Sequence, residues 1–265
     1  MKCIKSTCQD LRELFDNISV RYIAENLASF DAGNEWASVK AFMAEHDYDV
    51  VGIRKNGVVV GYIDKTDFDD VTCDRYRDFN ESDIIPDSTS LIEVSKLLRD
   101  RPNFPILFIK YLDQVSGIVT KGDLQKAPVR MWLFSLVTML EMNMLRITRI
   151  YHPEDSWKVF LSELRLEKAS TCHQLRISQN ESIDLADCLQ FCDKSTIFVK
   201  SEKIRNVLHF ESIQSAKKIL KDAENLRNLV AHAQDILYDN WPGIVDTAEQ
   251  IENLLKELEC VSAKY

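Results

Sequence analysis

Three polar residues near the carboxyl end, Arg227, Asn228 and His232, are of the types that can cleave a phosphodiester without a metal ion. A histidine that titrates near neutral pH can remove the proton from a ribose 2′-hydroxyl. An arginine guanidinium can stabilise the extra negative charge on a pentacoordinate phosphate. Asn228 could orient either the substrate or the imidazole. These residue types predict metal-independent RNA cleavage, provided that the fold places them on one surface.

The element that must position these residues is a predicted helix from Ser212 to about Leu237. Its apolar residues are spaced alternately three and four apart, which indicates one buried face. At about 100° per residue, Asn228 and His232 fall on the same side of the helix, whereas Arg227 and His232 are about 140° apart. Arg227 and His232 therefore act on one substrate only if another surface meets this face.

The segment Leu226–His232 resembles the R-x4-H motif of the HEPN superfamily, in which a polar residue typically follows the arginine, as Asn228 does here. The resemblance implies a helical bundle that dimerises so that two motif faces form one cleft. It also implies a metal-independent endoribonuclease that leaves a cyclic phosphate, with Arg227, Asn228 and His232 as catalytic residues. Two alternatives stay open: His232 is an ordinary surface residue of a charged helix, or the bundle has lost catalysis and serves in dimerisation or nucleotide binding.

A second set of polar residues belongs to an internal repeat. Residues 61–68 (GYIDKTDF) and 117–124 (GIVTKGDL) share a glycine, two apolar residues, a short polar residue, lysine, a small residue, aspartate and an apolar residue. In each copy, a helix, a strand, a turn and a second strand are predicted in that order, and the second strand runs into the shared motif. A further helix is predicted to start at each motif aspartate. These segments are Glu35–His46, Asp49–Arg54, Asn56–Gly57 and Val58–Ile63 in the first copy, and Ser90–Arg101, Pro105–Lys110, Leu112–Asp113 and Val115–Thr120 in the second.

The second copy, from Ile84 to Leu124, resembles a CBS motif along its whole length, and two copies in tandem resemble a Bateman module. This resemblance implies a pseudo-twofold pair of small α/β units that binds an adenosine nucleotide (AMP, ADP or ATP) in a cleft between them. It assigns the ribose hydroxyls to Asp123 and a phosphate to Thr120, and Pro105 matches the usual proline at the start of a strand. The alternative is an unrelated α/β domain.

The first copy departs from the family pattern at two positions. Asp64 stands where the family usually has Thr or Ser, and a carboxylate there would repel a phosphate. Asp49 replaces the usual proline. Asp67 could still hold a ribose, so the sequence predicts one competent nucleotide site rather than two. The other possibility is that neither cleft binds a ligand and the module serves only as a dimerisation platform.

These patterns predict an α+β protein with two domains. Residues 1–127 are predicted to form the tandem CBS module, with the first copy at about 14–70 and the second at about 79–127. Residues 128–265 are predicted to form a HEPN-like all-α bundle. Its expected helices are Val129–Ile150, Glu154–Lys168, Ile183–Cys192, Ser212 to about Leu237, and Ile244–Leu258.

Composition limits the classes of partner. The 265 residues carry 33 Lys+Arg against 42 Asp+Glu, and the net charge of −9 argues against a general nucleic-acid binder. Residues 194–221 are nevertheless locally basic and lead towards Arg227.

The longest strongly apolar run, Met131–Leu140, is ten residues, whereas a membrane span needs about 20. Without a recognisable secretion signal, the chain is predicted to be cytoplasmic, with no membrane contact and with reduced cysteines. The cysteines and histidines lack zinc-ligand spacing, so no metal site is predicted.

Together, these observations predict an adenosine-nucleotide-sensing CBS module that regulates a metal-independent endoribonuclease. The protein would act as a homodimer on RNA, and no cofactor would be required for catalysis. The alternative is a non-catalytic nucleotide-binding regulatory protein in which the helical bundle is an interaction module.

Overall fold

A computed structural model describes residues 7–67, 75–232 and 240–262, and they form two compact units. Residues 17–129 form a mixed α/β unit, which we call the repeat unit. Residues from 130 onwards form a helical unit, and it also includes helix α1 (Thr7–Asp16). The protein is therefore α+β. Residues 68–70 of the predicted first copy and 233–237 of the predicted fourth helix lie outside the described residues.

The repeat unit follows the predicted order of helix, strand, turn and strand in both copies. Short 3-10 helices, Lys65–Asp67 and Lys121–Gln125, follow the second strand of each hairpin. The remaining elements are β1 (Glu25–Asn26), β2 (Ser29–Asp31), α2 (Trp36–His46), β3 (Val50–Lys55), β4 (Val58–Asp64), β5 (Arg77–Asp78), β6 (Ile84–Pro86), α3 (Leu91–Arg99), β7 (Ile106–Tyr111) and β8 (Gln114–Thr120).

The strands form two four-stranded sheets with the orders β2-β3-β4-β5 and β1-β8-β7-β6. Each sheet is built on an antiparallel hairpin, β3–β4 or β7–β8, with a parallel strand on one side and an antiparallel strand on the other. Strand β1 comes before β2, β3 and β4 in the chain but pairs with β8 of the other sheet. Strand β5 comes before β6, β7 and β8 but pairs with β4. The two copies therefore exchange a strand.

The exchanged strands explain the glycine that opens each repeated motif. Gly61 on β4 pairs with Asp78, and Gly117 on β8 pairs with Asn26. A Cβ atom at residue 61 would overlap the Tyr76 ring and the Arg77 carbonyl, and one at residue 117 would lie 3.2 Å from the Glu25 carbonyl. Because the neighbouring backbone passes so close, these positions favour a residue without a side chain.

The two hairpins share further detail. Their turns have left-handed backbone at both central residues, Asn56 and Gly57 in one and Leu112 and Asp113 in the other. Such turns match the right-handed twist of the flanking strands. Each hairpin also has an irregularity in register one residue after the middle of its first strand, at 53/54 and 109/110.

The helix predicted to start at Asp123 is wrong in type, because the 3-10 helix Lys121–Gln125 takes its place. The helix predicted to start at Asp67 falls on residues outside those described. In the second copy the 3-10 helix ends at Lys126, whose backbone is extended, with φ −63° and ψ 150°. The next helix, α4 (Ala127–Tyr151), begins at the following residue. The short turn of helix therefore serves to hold Asp123 rather than to continue into a longer element.

The described residues of the helical unit contain no strand. Besides α1 and most of α4, the unit contains α5 (Glu163–Ser178), α6 (Phe191–Lys200), α7 (Glu202–Val207), α8 (Ile213–Ala231) and α9 (Trp241–Ser262), and 3-10 helices at Ser156–Phe160 and Leu185–Cys188. Their buried apolar side chains include Leu133, Leu140, Phe198, Leu220, Leu226, Ile251 and Leu255.

Three of the five predicted helices differ from the structure by more than four residues. The second spans Glu163–Ser178 rather than Glu154–Lys168, and it starts later because Glu154 and Asp155 have left-handed backbone, with φ of 53° and 59°. The predicted third helix is replaced by the 3-10 helix Leu185–Cys188 and by α6, which starts at Phe191. The fourth helix ends at Ala231, and His232 is its C-cap residue.

Candidate functional site

A cavity of about 450 Å³ lies beside the motif aspartate of the second copy. This volume falls within the range of about 300–1,000 Å³ that is typical of small-molecule sites. We call it the second cleft. Its wall comes from β1, from the turn after α2, from the first residues of β3 and β7, and from the 3-10 helix after β8. The lining residues include Glu25, Leu27, His46, Tyr48, Asp49, Val50, Ile106, Ile118, Thr120, Gly122, Asp123 and Lys126.

Asp123 is held in one orientation at this wall. Its Oδ2 accepts a hydrogen bond from the backbone N–H of Thr120 at 2.7 Å and one from the Thr120 hydroxyl at 3.0 Å. This capping box starts the 3-10 helix. Asp123 is only 8% exposed, so its carboxylate is an ordered acceptor in a largely dry position.

Lys126 provides the positive charge beside that carboxylate. Its Nζ lies 2.6 Å from Asp123 Oδ1, and it donates to the carbonyl of Ile23 at 2.7 Å and to Glu25 Oε1 at 2.9 Å. Burial alone would lower the pKa of Lys126. The hydrogen bonds to Asp123 and Glu25 outweigh this effect, so the pKa lies above its ordinary value and the lysine stays charged.

Two of the residues predicted to bind nucleotide, Thr120 and Asp123, line the second cleft together. Pro105 stands directly before β7, and its neighbour Ile106 is the residue that lines the cavity. Sequence reasoning missed Glu25, Lys126, His46 and Tyr48. The spacing of three between Asp123 and Lys126 was a signal for an ion pair on a helical turn, but the two-residue strand that carries Glu25 has no periodicity to reveal it.

His46 and Tyr48 give the second cleft an aromatic edge. The His46 ring stacks on Phe42 with centroids 4.1 Å apart, and Tyr48 lies 5.6 Å from His46. Tyr48 is 38% exposed, so its ring is accessible to a ligand. Aromatic faces of this kind can stack on a nucleobase.

The fourth predicted nucleotide-binding residue, Asp67, is the counterpart of Asp123 in the first copy. We call its surroundings the first cleft, although residues 68–74, which follow it, lie outside the described residues. Its Oδ2 accepts a hydrogen bond from the backbone N–H of Asp64 at 3.1 Å, as Asp123 does from Thr120. Its Oδ1 accepts from Arg77 Nε at 3.1 Å, and the guanidinium also forms an ion pair with it through Nη2. The carboxylate of Asp64 bonds to the backbone and hydroxyl of Thr66. Asp67 therefore already binds a cation that belongs to the exchanged strand β5.

Aromatic rings stand in the first cleft where smaller side chains line the second. The pairing of the exchanged strands makes Phe79 the counterpart of Leu27, and Tyr62 the counterpart of Ile118. The Tyr62 ring centroid lies 5.6 Å from that of Phe79 and 5.9 Å from that of Phe104. Burial raises the pKa of the Tyr62 hydroxyl above its ordinary value, although Arg77 opposes the shift. These rings pack against one another, whereas Leu27 and Ile118 line the cavity of the second cleft.

One more pair of equivalent positions differs greatly in size. Phe108 on β7 is fully buried, and its ring lies 4.9 Å from Tyr62 and 4.6 Å from Phe79. Its counterpart on β3 is Gly52, where an added Cβ would lie 3.1 Å from the Leu27 side chain. Phe108 thus packs against the rings of Tyr62 and Phe79. Its counterpart Gly52 lies beside Leu27, which lines the second cleft.

The predicted catalytic residues lie at the end of α8. Arg227, Asn228 and His232 are exposed, and Arg227 Nη1 donates to Asn228 Oδ1 at 3.4 Å. His232 follows as the C-cap residue, and its backbone N–H bonds to the carbonyl of Asn228 at 3.1 Å. Arg227 Nε also lies 3.9 Å from Glu141 Oε2 on α4. The structure thus places Arg227 and Asn228 in contact and His232 at the following helix end.

Several cations of the predicted basic segment are engaged within the helical unit. Lys194 is buried and pairs with Glu141 at 2.9 Å. Lys200 donates to the carbonyl of Phe160 at 2.8 Å, and Arg205 donates to the carbonyl of Val199. The positive charge that these residues offer to a partner is therefore smaller than the sequence suggests.

Two further observations concern metal binding and membrane crossing. In the described ranges, no group of three or more His, Cys, Asp or Glu side chains is arranged to hold a metal ion. Over the same residues, no helix combines the length and the apolar character that crossing a membrane requires.

The sequence matches no family model and no curated protein. Solved structures to which the chain is similar include CBS-domain proteins. One is a haemolysin-like CBS protein of Oenococcus oeni, with 13% identity and a TM-score of 0.34 over 45% of this chain and 96% of that chain. Another is the CBS domain of a bacterial CNNM/CorC family Mg²⁺ transporter in complex with ATP, with 16% identity and a TM-score of 0.35 over 48% of this chain and 94% of that chain.

A third similar structure is protein MJ1004 of Methanocaldococcus jannaschii, with 12% identity and a TM-score of 0.37 over 80% of this chain and 99% of that chain. At such identities and TM-scores, these similarities by themselves establish neither a family nor a function for the chain.

Proposed function

We propose that the repeat unit is a tandem CBS module that binds an adenosine nucleotide (AMP, ADP or ATP) in the second cleft and acts as a regulatory sensor. The observation that carries the proposal is the cavity of about 450 Å³ whose wall holds Thr120 and a buried, oriented Asp123. The strand exchange and the repeated hairpins support the pseudo-twofold arrangement that the sequence predicts.

The lining residues suit the parts of a nucleotide. A buried carboxylate is the acceptor that two ribose hydroxyls require, and Asp123 would hold them. The Thr120 hydroxyl would donate to a phosphate oxygen. The rings of Tyr48 and His46 would stack on the adenine base. In the first cleft, the Arg77 ion pair and the aromatic rings support the prediction of one competent site rather than two.

The two motif aspartates provide a matched test. Asp123→Asn removes the negative charge from the second cleft, and Asp67→Asn makes the same change in the first. We expect Asp123→Asn to weaken binding of AMP and ATP at least about tenfold, since hydrogen bonds to charged groups contribute about 1.5–3 kcal/mol. Asp67→Asn should leave both affinities unchanged. Isothermal titration calorimetry would measure them, and equal losses in the two variants would contradict the assignment.

For the helical unit, we propose a HEPN-type ribonuclease that acts as a homodimer. The observation that favours it is the exposure of Arg227, Asn228 and His232 together at one helix end. His232 would take the proton from the 2′-hydroxyl, whose oxygen attacks the adjacent phosphorus. The 5′-oxygen is displaced and takes up a proton from water, which leaves a cyclic phosphate. Arg227 would stabilise the negative charge that develops on the phosphate oxygens. A second protomer would supply the surface against which these residues converge on RNA.

Cleavage of a labelled structured RNA in the presence of EDTA tests this activity. The wild-type protein should cut, His232→Ala should abolish cutting, and Asn225→Ala, which changes another exposed residue of α8, should not. Absence of cutting by a folded, dimeric wild-type protein would favour the alternative, a non-catalytic binding protein in which the helical unit is an interaction module.

The two functions would be linked through the start of α4. Lys126 lines the second cleft, and α4 begins at the next residue, Ala127. A nucleotide that binds one arrangement of this junction better than another would shift the population of the arrangements, and so the ribonuclease activity. Assays with and without AMP and ATP would reveal this regulation as a nucleotide-dependent rate.

A further inference from the structure

The ammonium group of Lys126 is saturated with hydrogen-bond acceptors. An ammonium has three N–H donors, and Lys126 Nζ faces three acceptors: Asp123 Oδ1 at 2.6 Å, the Ile23 carbonyl at 2.7 Å and Glu25 Oε1 at 2.9 Å. All three partners belong to the repeat unit. Since Glu25 and Lys126 also line the second cleft, this cluster forms part of the surface that a ligand would meet.

The carboxylate of Asp123 is also close to saturation. A carboxylate offers about four lone-pair sites. Three contacts use them: the backbone N–H and the hydroxyl of Thr120 on Oδ2, and Lys126 on Oδ1. A ribose brings two hydroxyl donors, so one of the three existing contacts must open before both can bind.

The contact that opens at least cost is the one to Lys126. The Thr120 N–H is fixed in the backbone, and loss of the Thr120 hydroxyl would weaken the capping box that orients the carboxylate. If Lys126 moves away from Asp123, its ammonium keeps the Ile23 carbonyl and the Glu25 carboxylate as acceptors. The Lys126 side chain is 35% exposed and flexible enough to make this move.

We propose that Lys126 competes with the ribose for Asp123 and thereby sets the affinity of the second cleft for ribose-bearing ligands. This inference rests on the proposed function. Ribose binding breaks the Asp123–Lys126 ion pair, and the released ammonium stays on Ile23 and Glu25. The first cleft has the same carboxylate–cation pair in Asp67 and Arg77, but there two guanidinium nitrogens hold the carboxylate. The weaker, single-point pair is thus in the second cleft.

The test compares AMP with 2′,3′-dideoxy-AMP, which lacks both hydroxyls but keeps the base and the phosphate. The ratio of the two affinities measures the contribution of the hydroxyls, and any change in attraction for the phosphate cancels from it. The proteins are the full-length wild type, Lys126→Met, Lys126→Arg and Lys121→Met. Lys121 is an exposed lysine of the same 3-10 helix and serves as the control.

Lys126→Met should raise the ratio about 3- to 10-fold, in line with the strength of a partly exposed ion pair. Lys126→Arg should lower it, because a guanidinium holds a carboxylate at two points. Lys121→Met should leave it unchanged. An unchanged or lower ratio in Lys126→Met would overturn the competition while leaving nucleotide binding intact. If AMP does not bind, the same ratio is measured with ATP and 2′,3′-dideoxy-ATP. Failure of both AMP and ATP to bind to any of the four proteins would instead overturn the proposed function, and the competition with it.

Discussion

The two clefts of the repeat unit have the same backbone but different side chains around the motif aspartate. Each has a motif aspartate that bonds to the backbone three residues earlier and pairs with a cation. The first cleft has Tyr62 and Phe79 where the second has Ile118 and Leu27. The same backbone therefore carries side chains of different size around the two motif aspartates.

The difference also shows how one copy supports the other. Phe108 belongs to the second copy, yet its ring packs with Tyr62 and Phe79 of the first cleft. The same cluster contains Leu27, which lines the second cleft. Residues of the first copy and residues that line the second cleft therefore share one core.

The largest expected effect comes from removing the Phe108 ring from this shared core. Phe108→Ala removes a fully buried ring and should lower the free energy of unfolding by about 3–5 kcal/mol. Urea denaturation followed by circular dichroism would measure the loss. Tyr111→Ala on the same strand is the control, because Tyr111 is 54% exposed and its loss should cost less than about 1 kcal/mol. Similar losses in the two variants would contradict the described packing.

A second comparison uses the repeated glycine. Gly61→Ala places a methyl group against the Arg77 carbonyl and should destabilise the protein by about 1–3 kcal/mol. Gly117→Ala should cost less, because its nearest atoms are 3.1 Å and 3.2 Å away and a small shift relieves the contact. Thermal unfolding of the two variants would rank them. A larger loss for Gly117→Ala would show that β1 lies closer to its partner than β5 does.

A smaller effect is expected at alkaline pH. Burial raises the pKa of Tyr62 above its ordinary value of 10.0, so the neutral hydroxyl is favoured by folding. This contribution to stability is complete below the pKa of the unfolded chain and is lost as the pH rises through the higher folded-state pKa. Tyr62→Phe should therefore lose less stability than the wild type above about pH 10. Urea denaturation at several pH values would compare the slopes, and identical slopes would contradict the assignment.

The last comparison should show no change. Asp64→Thr gives the first copy the residue type that the second has at Thr120, but Asp67 keeps its Arg77 partner and the rings stay in place. We therefore expect the calorimetric stoichiometry for AMP to stay at that of the wild type. Appearance of an additional site would show that Asp64 alone blocks the first cleft.

The sequence predicted the repeated hairpins well because alternating apolar residues and the Asn56-Gly57 turn leave a strong local signal. It did not predict β1 and β5, because two-residue strands that pair with distant segments leave no periodic pattern. The spacing of Asp123 and Lys126 was a signal for their ion pair, but the other two partners of Lys126, Ile23 and Glu25, lie about a hundred residues earlier in the chain and could not be predicted.

In the helical unit, apolar periodicity predicted the long helices α4 and α9. It failed where backbone conformation decides the boundary. The left-handed backbone at Glu154 and Asp155 delays the second helix, and the end of α8 places His232 at a C-cap rather than within a helix. The types of the candidate catalytic residues were readable from the sequence, but their arrangement at a helix end was not.

The exchange of β1 and β5 has a consequence for how the chain can be divided. A cut between the copies, anywhere from the end of β4 to the start of β5, would leave the first fragment without its fourth strand and with a strand that belongs to the other sheet. Neither fragment would contain a complete sheet, although each carries a complete motif in sequence. Residues 17–129 are therefore the smallest segment expected to melt in a single cooperative transition, and a boundary drawn by sequence similarity to one motif would divide a folding unit.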